Sequence, residues 1–220
     1  MDFGTVELTD DVVKFWQDVS DFYDEYATEE VYEEERVTGS GHNHGLHRAL
    51  GERGWVVPDA PFDEGGAALD PLRSRILEIE SARRKVPTIT QSTTMLTIPT
   101  VRMFGSDFLK EKVLAGAAAG DINICLGYTE PDGGSDLAGV RTRSARTEDG
   151  WVINGAKMFT TGAHNCQYSI LVTRSDPEAP KHRGITIFLV PLDVPGVEIA
   201  GTHTGRRAHQ RGLLRQRRHQ

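Results

Sequence analysis

The stretch Leu126-Gly-Tyr-Thr-Glu-Pro-Asp-Gly-Gly-Ser-Asp136 decides how the rest of the chain is read. The Pro131 ring crowds the helical region for the residue before it, so Glu130 is held extended. Gly133 and Gly134 permit positive φ and close backbone approach. Ser135 adds a hydroxyl beside free backbone N–H groups, and such a turn can bind a phosphate oxygen. Taken alone, the same residues describe an ordinary surface turn. Their surroundings separate the two readings. Gly120-Asp121-Ile122-Asn123-Ile124-Cys125 leads in, and Trp151-Val-Ile-Asn-Gly-Ala-Lys157 and Phe159-Thr160-Thr161 follow at short spacing.

Toward the C-terminus, Asp149-Gly150 and Asn154-Gly155 are hairpin signals flanked by strand-like runs. They predict a three-stranded meander over residues 140–146, 151–153 and 157–161. Residues 168–173 predict a fourth strand, 184–191 an apolar fifth, and 197–200 the start of a sixth. Toward the N-terminus the period changes. Val12, Phe15, Trp16, Val19, Phe22, Tyr23 and Tyr26 fall near one face of a helix over residues 9–37, with acids opposite. Shorter helices are expected at 46–53, 71–85 and 98–118, the last broken near Gly105-Ser106. A helical block followed by an antiparallel β-block is an α+β arrangement of two domains. The boundaries read as 1–121 helical, 122–204 an incomplete, barrel-like β-domain, and 205–220 a basic tail.

Composition sets limits on function. The 220 residues are 38% hydrophobic and 26% charged, enough for a real core. No window approaches the roughly 18 apolar residues of a membrane span. The acidic start MDFGTVELTDD is unlike a secretory signal, and two cysteines make no disulfide framework, so a cytoplasmic location is expected. No G-x-G-x-x-G or G-x-x-x-x-G-K occurs, which leaves nicotinamide and nucleoside-triphosphate chemistry without support.

The ordered set of motifs resembles the acyl-CoA dehydrogenase family, whose signature runs TEPxxGSD, then ING-x-K-(Trp/Phe)-(Ile/Thr)-Thr. LGERGWVVPDAPFDEGGAALDPLRSRILEIESAR and DFLKEKVLAGAAAGD resemble the family's earlier segments, and the likeness covers about residues 46–200. It implies an FAD-dependent oxidoreductase, a flavoprotein of fatty acid β-oxidation and lipid metabolism. Such an enzyme removes hydrogens from the α and β carbons of an acyl-CoA thioester, with hydride passing to flavin N5. Leu126, Tyr128 and Thr129 match the stretch against the flavin ring, and Gly134 and Ser135 match its pyrophosphate contacts, Ser135 also touching substrate. Phe159 and Thr161 match the second flavin stretch, where a flat apolar ring covers the flavin face. Asp132 departs from the family's usual Gly or Ala. The family's catalytic base lies in a C-terminal helical domain, so no catalytic residue is assigned within this chain. Glu130 is expected to support structure instead. Electron-transferring flavoprotein is the implied acceptor, and a homo- or hetero-oligomer the implied full-length assembly. Oxidases and flavin monooxygenases share the fold, and fatty, branched and steroid acyl groups all remain open.

Residues 205–220 follow none of this. They hold six arginines and no acid, against a net charge of −13 for the first 200 residues. One legal codon spelling of GRRAHQRGLLRQRRHQ, read one base later, gives Gly-Gly-Glu-Arg-Thr-Asn-Val-Val-Tyr-Tyr-Asp-Asn-Val-Ala-Thr. That is the family's continuation after His203-Thr204, and every recovered codon ends in G or C. The tail therefore reads as out of frame, after a net gain of one base or loss of two near Thr204. A different codon spelling in the gene would remove this reading. On it the chain is truncated, with weak flavin affinity and little or no turnover. Two other roles follow from the same premise: a non-catalytic remnant, or a subunit completed by a paralogous chain. A nucleic-acid-binding arm is the rival account of the arginines, but it lacks aromatic residues for base stacking.

His42, His44 and His47 form H-x-H-x-x-H in a Gly-rich stretch and read as surface histidines with no metal role. Cys125 reads as buried packing, and Cys166 as a partly exposed thiol without a basic partner.

Overall fold

The computed structural model describes residues 7–148 and 150–200. The arginine-rich tail and the recovered reading frame lie outside these residues. Asp10–Tyr26 forms α1, whose buried Val12, Val19, Phe22 and Tyr23 mark one face. The single helix expected over 9–37 is two: the chain turns at Ala27-Thr28, and Glu29–Thr38 forms α2, closed by a left-handed Gly39. His44–Glu52 is α3. Asp70 caps α4, Pro71–Arg84, by accepting the Leu72 and Arg73 N–H groups, and Pro71 fits the first turn because it has no N–H to lose.

The helix α5, Ile89–Phe104, starts well before the expected residue 98. Its first half is rich in threonine, which has modest helix propensity. The Thr93, Thr94 and Thr97 hydroxyls donate to carbonyls three or four residues earlier, and tertiary bonds hold the segment: Thr90 meets the His42 ring and Thr94 accepts the Ile124 N–H. The expected break at Gly105-Ser106 is present. Beyond it, residues 107–118 form α6, with Lys110–Leu114 in wider π geometry.

Helices α1 and α4 pack together, with the Trp16 Nε1–H donating 2.8 Å to Glu80 Oε1. The helical core gathers Phe22, Tyr23, Leu46, Leu50, Trp55, Val56 and Ile76.

The β-half is one mixed sheet of β1 (Ile124–Gly127), β2 (Arg143–Thr147), β3 (Gly150–Asn154), β4 (Tyr168–Arg174) and β5 (Ile185–Pro191). Here the expectation of a purely antiparallel domain is corrected. β1 runs parallel to β4, and β2 meets β4 parallel at Arg143–Arg174, while β2–β3 and β4–β5 are antiparallel. The reason is the long excursion between β1 and β4, which brings the chain back in the same direction. Residues 157–161 and 197–200, expected as strands, are irregular. Alternation along β1 gives the sheet two faces. Ile124 and Leu126 pack with Val113 of α6, Ile170 and Leu189, whereas Cys125 packs with Ile153, Cys166 and Leu171 on the other face.

His42 and His47 are correspondingly not surface groups. Each is buried, His42 Nδ1 lies 2.5 Å from the Thr90 hydroxyl, and His42 Nε2 lies 3.2 Å from His44 Nδ1. Only His44 is exposed. Among the described residues, no group of three His, Cys, Asp or Glu could hold a metal ion. Burial, then neighbouring histidines, lowers His42 from 6.5 to about 3 and His47 to about 4. The folded chain therefore favours their neutral forms. Their contribution to stability is complete above the unfolded value near 6.5 and is lost as pH falls below it. Between pH 7.5 and pH 5, urea unfolding should show a loss on the order of 1–2 kcal/mol from each. A stability unchanged over that interval contradicts the burial of these rings.

Candidate functional site

The site begins where β1 ends. Leu126 and Tyr128 are half-buried on the side of the sheet that faces α6, and burial raises the Tyr128 phenol above its usual value. Thr129 follows, also half-buried. The next four residues close on themselves: the Glu130 N–H donates 2.9 Å to the Gly133 carbonyl, and the Gly133 N–H donates 3.1 Å back. Beyond this turn Gly134 lies against Thr129, where an added Cβ would sit 3.0 Å from the threonine methyl. Ser135 is exposed one residue further on.

The second stretch crosses the first. The Met158 N–H donates 2.8 Å to the Thr129 carbonyl, which brings residues 157–161 against 128–130. Phe159 has φ of 55°, unusual for a residue with a side chain, and the residue is 57% exposed. The Thr161 hydroxyl lies 3.5 Å from the Phe159 carbonyl. Leu126, Tyr128, Thr129, Gly134, Phe159 and Thr161 therefore share one region, with Ser135 on its exposed rim.

Beneath them is a buried ionic node. Lys157 Nζ donates 2.9 Å to Glu130 Oε1 and 3.2 Å to the Tyr128 carbonyl. The Thr142 N–H donates 2.8 Å to Glu130 Oε1, and the Arg141 N–H donates 2.7 Å to Oε2. Burial alone would raise Glu130, but these bonds from Thr142, Lys157 and Arg141 hold it below the ordinary carboxylate value. Burial lowers Lys157, with Glu130 opposing the shift. Such a carboxylate is a brace. Gly155 makes the close approach possible, since a Cβ there would meet the Thr142 Cα at 2.7 Å. In the sequence Lys157 stands only as part of the hairpin motif. Nothing in its spacing from Glu130 announces a partner 27 residues away.

One concavity borders the site and a larger one lies apart from it. The first, of about 190 Å³, lies against the turn, lined by Tyr128, Gly133, Gly134, Arg141 and the carboxylate residues Glu130, Asp132 and Asp136. Three carboxylates make it a poor place for a diphosphate. Asp132 is paired at 2.9 Å with Arg141, and Asp136 at 2.5 Å with Lys181. The other, about 690 Å³, is in the helical half between Tyr23, Trp55, Lys85 and Met95, and no expected site residue lines it. Cys166, read from sequence as partly exposed, is buried, its thiol 3.3 Å from the Gly162 carbonyl.

Residues 9–121 match the N-terminal domain model of acyl-CoA dehydrogenases, and residues 125–216 match the middle-domain model. Acyl-CoA dehydrogenase FadE29 of Mycobacterium tuberculosis is 36% identical over 178 residues, covering 78% of this chain and 46% of its own length. Among solved structures, the ChsE4-ChsE5 complex from the same organism superposes with a TM-score of 0.83 at 28% identity, covering 97% of this chain and 55% of that one. A glutaryl-CoA dehydrogenase from Mycobacterium smegmatis in complex with FADH2 gives 0.74 at 26%, covering 94% and 53%. The chain thus spans about half the length of the relatives it matches.

Proposed function

Because the chain belongs to the acyl-CoA dehydrogenase family, we propose that residues 126–136 and 157–161 form the flavin cradle of an FAD-dependent oxidoreductase acting on acyl-CoA thioesters. The observation that carries this is the Met158–Thr129 backbone bond, which joins the two motif stretches into one surface. That surface suits a flat aromatic ring with a polar edge: apolar Leu126 and Phe159, with the hydroxyls of Thr129 and Thr161 beside them. Gly134, which also borders the acidic cleft, and the exposed Ser135 would meet the diphosphate. Bound FAD would supply the hydride acceptor.

The remaining roles belong to this chain's own groups. The Thr129 hydroxyl would hydrogen-bond the flavin edge near N5 and O4, and the Phe159 ring would cover the flavin face away from substrate. Ser135 would touch the acyl-CoA. Glu130 does not serve as base, since both its oxygens are engaged and its proton affinity is lowered. The α-proton would be taken by a group in the half of the relatives that the matched span does not reach. Electron-transferring flavoprotein is the proposed acceptor and the cytoplasm the proposed location; no helix among the described residues is long and apolar enough to cross a membrane. A subunit completed by a related chain is the second reading, favoured because ChsE4-ChsE5 is a complex of two differently named chains. Co-purification with such a chain would distinguish it.

Fluorescence titration of FAD with the purified chain tests the proposal. Saturable quenching is expected, weakened by Phe159→Ala and by Gly134→Val, with little or no reduction of an artificial acceptor by acyl-CoA. Absence of saturable binding overturns the cradle. Rapid turnover by the isolated chain overturns the assignment of the base elsewhere.

A further inference from the structure

We propose that Lys157 is the positioning residue that fixes the two stretches of the cradle in one geometry. The inference rests on the flavin reading above and assigns a role to a residue outside the surface that would meet the flavin. The Lys157 side chain is 1% exposed, so its ammonium has almost no water to bond. Its bonds to Glu130 Oε1 and the Tyr128 carbonyl replace that water.

The connections run to each expected contact. Through Tyr128, Lys157 holds the residue before Thr129. Through Glu130, it holds the residue after Thr129 and the turn that carries Gly133, whose two backbone bonds to Glu130 make them move together. Gly134 follows from Gly133 and abuts the Thr129 methyl. On its own segment, Lys157 precedes Met158, which bonds the Thr129 carbonyl, and Phe159, which holds the positive φ. One ammonium therefore sits between the two chain segments, beside the Met158–Thr129 backbone bond. The Thr142 N–H shares Oε1 with Lys157 and the Arg141 N–H donates to Oε2, so the node also ties in the chain entering β2.

Removing the ammonium while keeping the stem length, as in Lys157→Met, leaves the Glu130 carboxylate desolvated without a countercharge. The turn then relaxes toward water, and the stretches lose their shared register. Lys157→Arg keeps the charge and the donors, although the planar fork reaches differently. The double variant Glu130→Gln with Lys157→Met removes both charges, which lessens the folding penalty while still abolishing the link.

The test uses the full chain with FAD as the probe, together with amide hydrogen exchange in its absence. Lys157→Met is expected to bind FAD about tenfold more weakly than wild type, and Lys157→Arg within about threefold. The flavin absorption band of the methionine variant should resemble free FAD. Exchange at the Arg141, Thr142 and Met158 amides should quicken while α1 and α4 keep their protection. Equal affinity and unchanged exchange in Lys157→Met overturn the proposal. If that variant loses protection throughout, the double variant decides: weaker FAD binding supports the link and wild-type binding overturns it. A wild-type chain that does not bind FAD refutes the flavin reading instead. Lys157 is then judged by exchange alone in whichever variant stays folded, faster exchange at the three amides supporting the link and unchanged exchange overturning it.

Discussion

Glu130→Ala is expected to lower the unfolding free energy by about 3–5 kcal/mol, the usual loss when one partner of a buried ion pair is removed. The substitution strands three donors at once: Lys157 Nζ and the backbone N–H groups of Arg141 and Thr142. The Lys157 ammonium keeps only the Tyr128 carbonyl. A buried charge without its partner costs far more than an exposed one, because no solvent screens it. The shift should appear in the urea midpoint with an unchanged slope. A loss below about 1 kcal/mol would place Glu130 among ordinary surface pairs and contradict the brace. Asp132→Ala makes the natural control, since its partner Arg141 lies on the exposed side of the same turn.

Phe22→Ala should have a comparable effect, about 3–5 kcal/mol, by a different mechanism. The ring is 2% exposed and centred in an aromatic cluster. It stacks on Tyr26 at 4.8 Å and meets Tyr23 and Trp55 edge-on at 5.3 and 5.0 Å. The Arg53 guanidinium sits 5.8 Å from its centre. Truncation removes dispersion contacts on every side and opens a cavity that α1, pinned to α4 by Trp16 and Glu80, cannot readily fill. Urea unfolding again measures it. A smaller change, below about 1.5 kcal/mol, would mean that the core relaxes as it does for volume-conserving swaps.

The two sites differ in how far they could be read from sequence. Phe22 announces itself: apolar residues at helical spacing with acids opposite define the buried face of α1 before any fold is known. The turn at residues 130–133 is partly legible: Pro131 restricts the backbone, whereas Gly133 and Gly134 leave it free, and neither takes the positive φ they allow. The meander was only half legible. Gly150 and Asn154 bound β3 as the hairpin signals require, but residues 157–161 cross the end of β1 rather than pairing with β3. Their hydrogen bonds go to Thr129 and Glu130, partners distant in sequence that no local pattern reveals. Strand direction was hidden for the same reason, since parallel β1–β4 pairing depends on the intervening path. The start of α5 was obscured by threonines whose hydroxyls bond within the helix. His42 and His47 misled because polarity and nearby glycines suggest exposure, whereas α3 turns His47 inward beside Leu46 and Leu50. Lys157 illustrates the general limit: a charge buried by a distant partner looks like any surface lysine.

The central claim is that the crossing of residues 126–136 with 157–161 receives FAD. Amide chemical-shift mapping of the isotope-labelled chain during FAD addition tests it most directly. Shifts that saturate together at residues 126–136 and 157–161, with the helical groove around Tyr23, Trp55 and Lys85 unmoved, are the predicted result. Saturating shifts confined to that groove, or no saturating shifts at all, would contradict it.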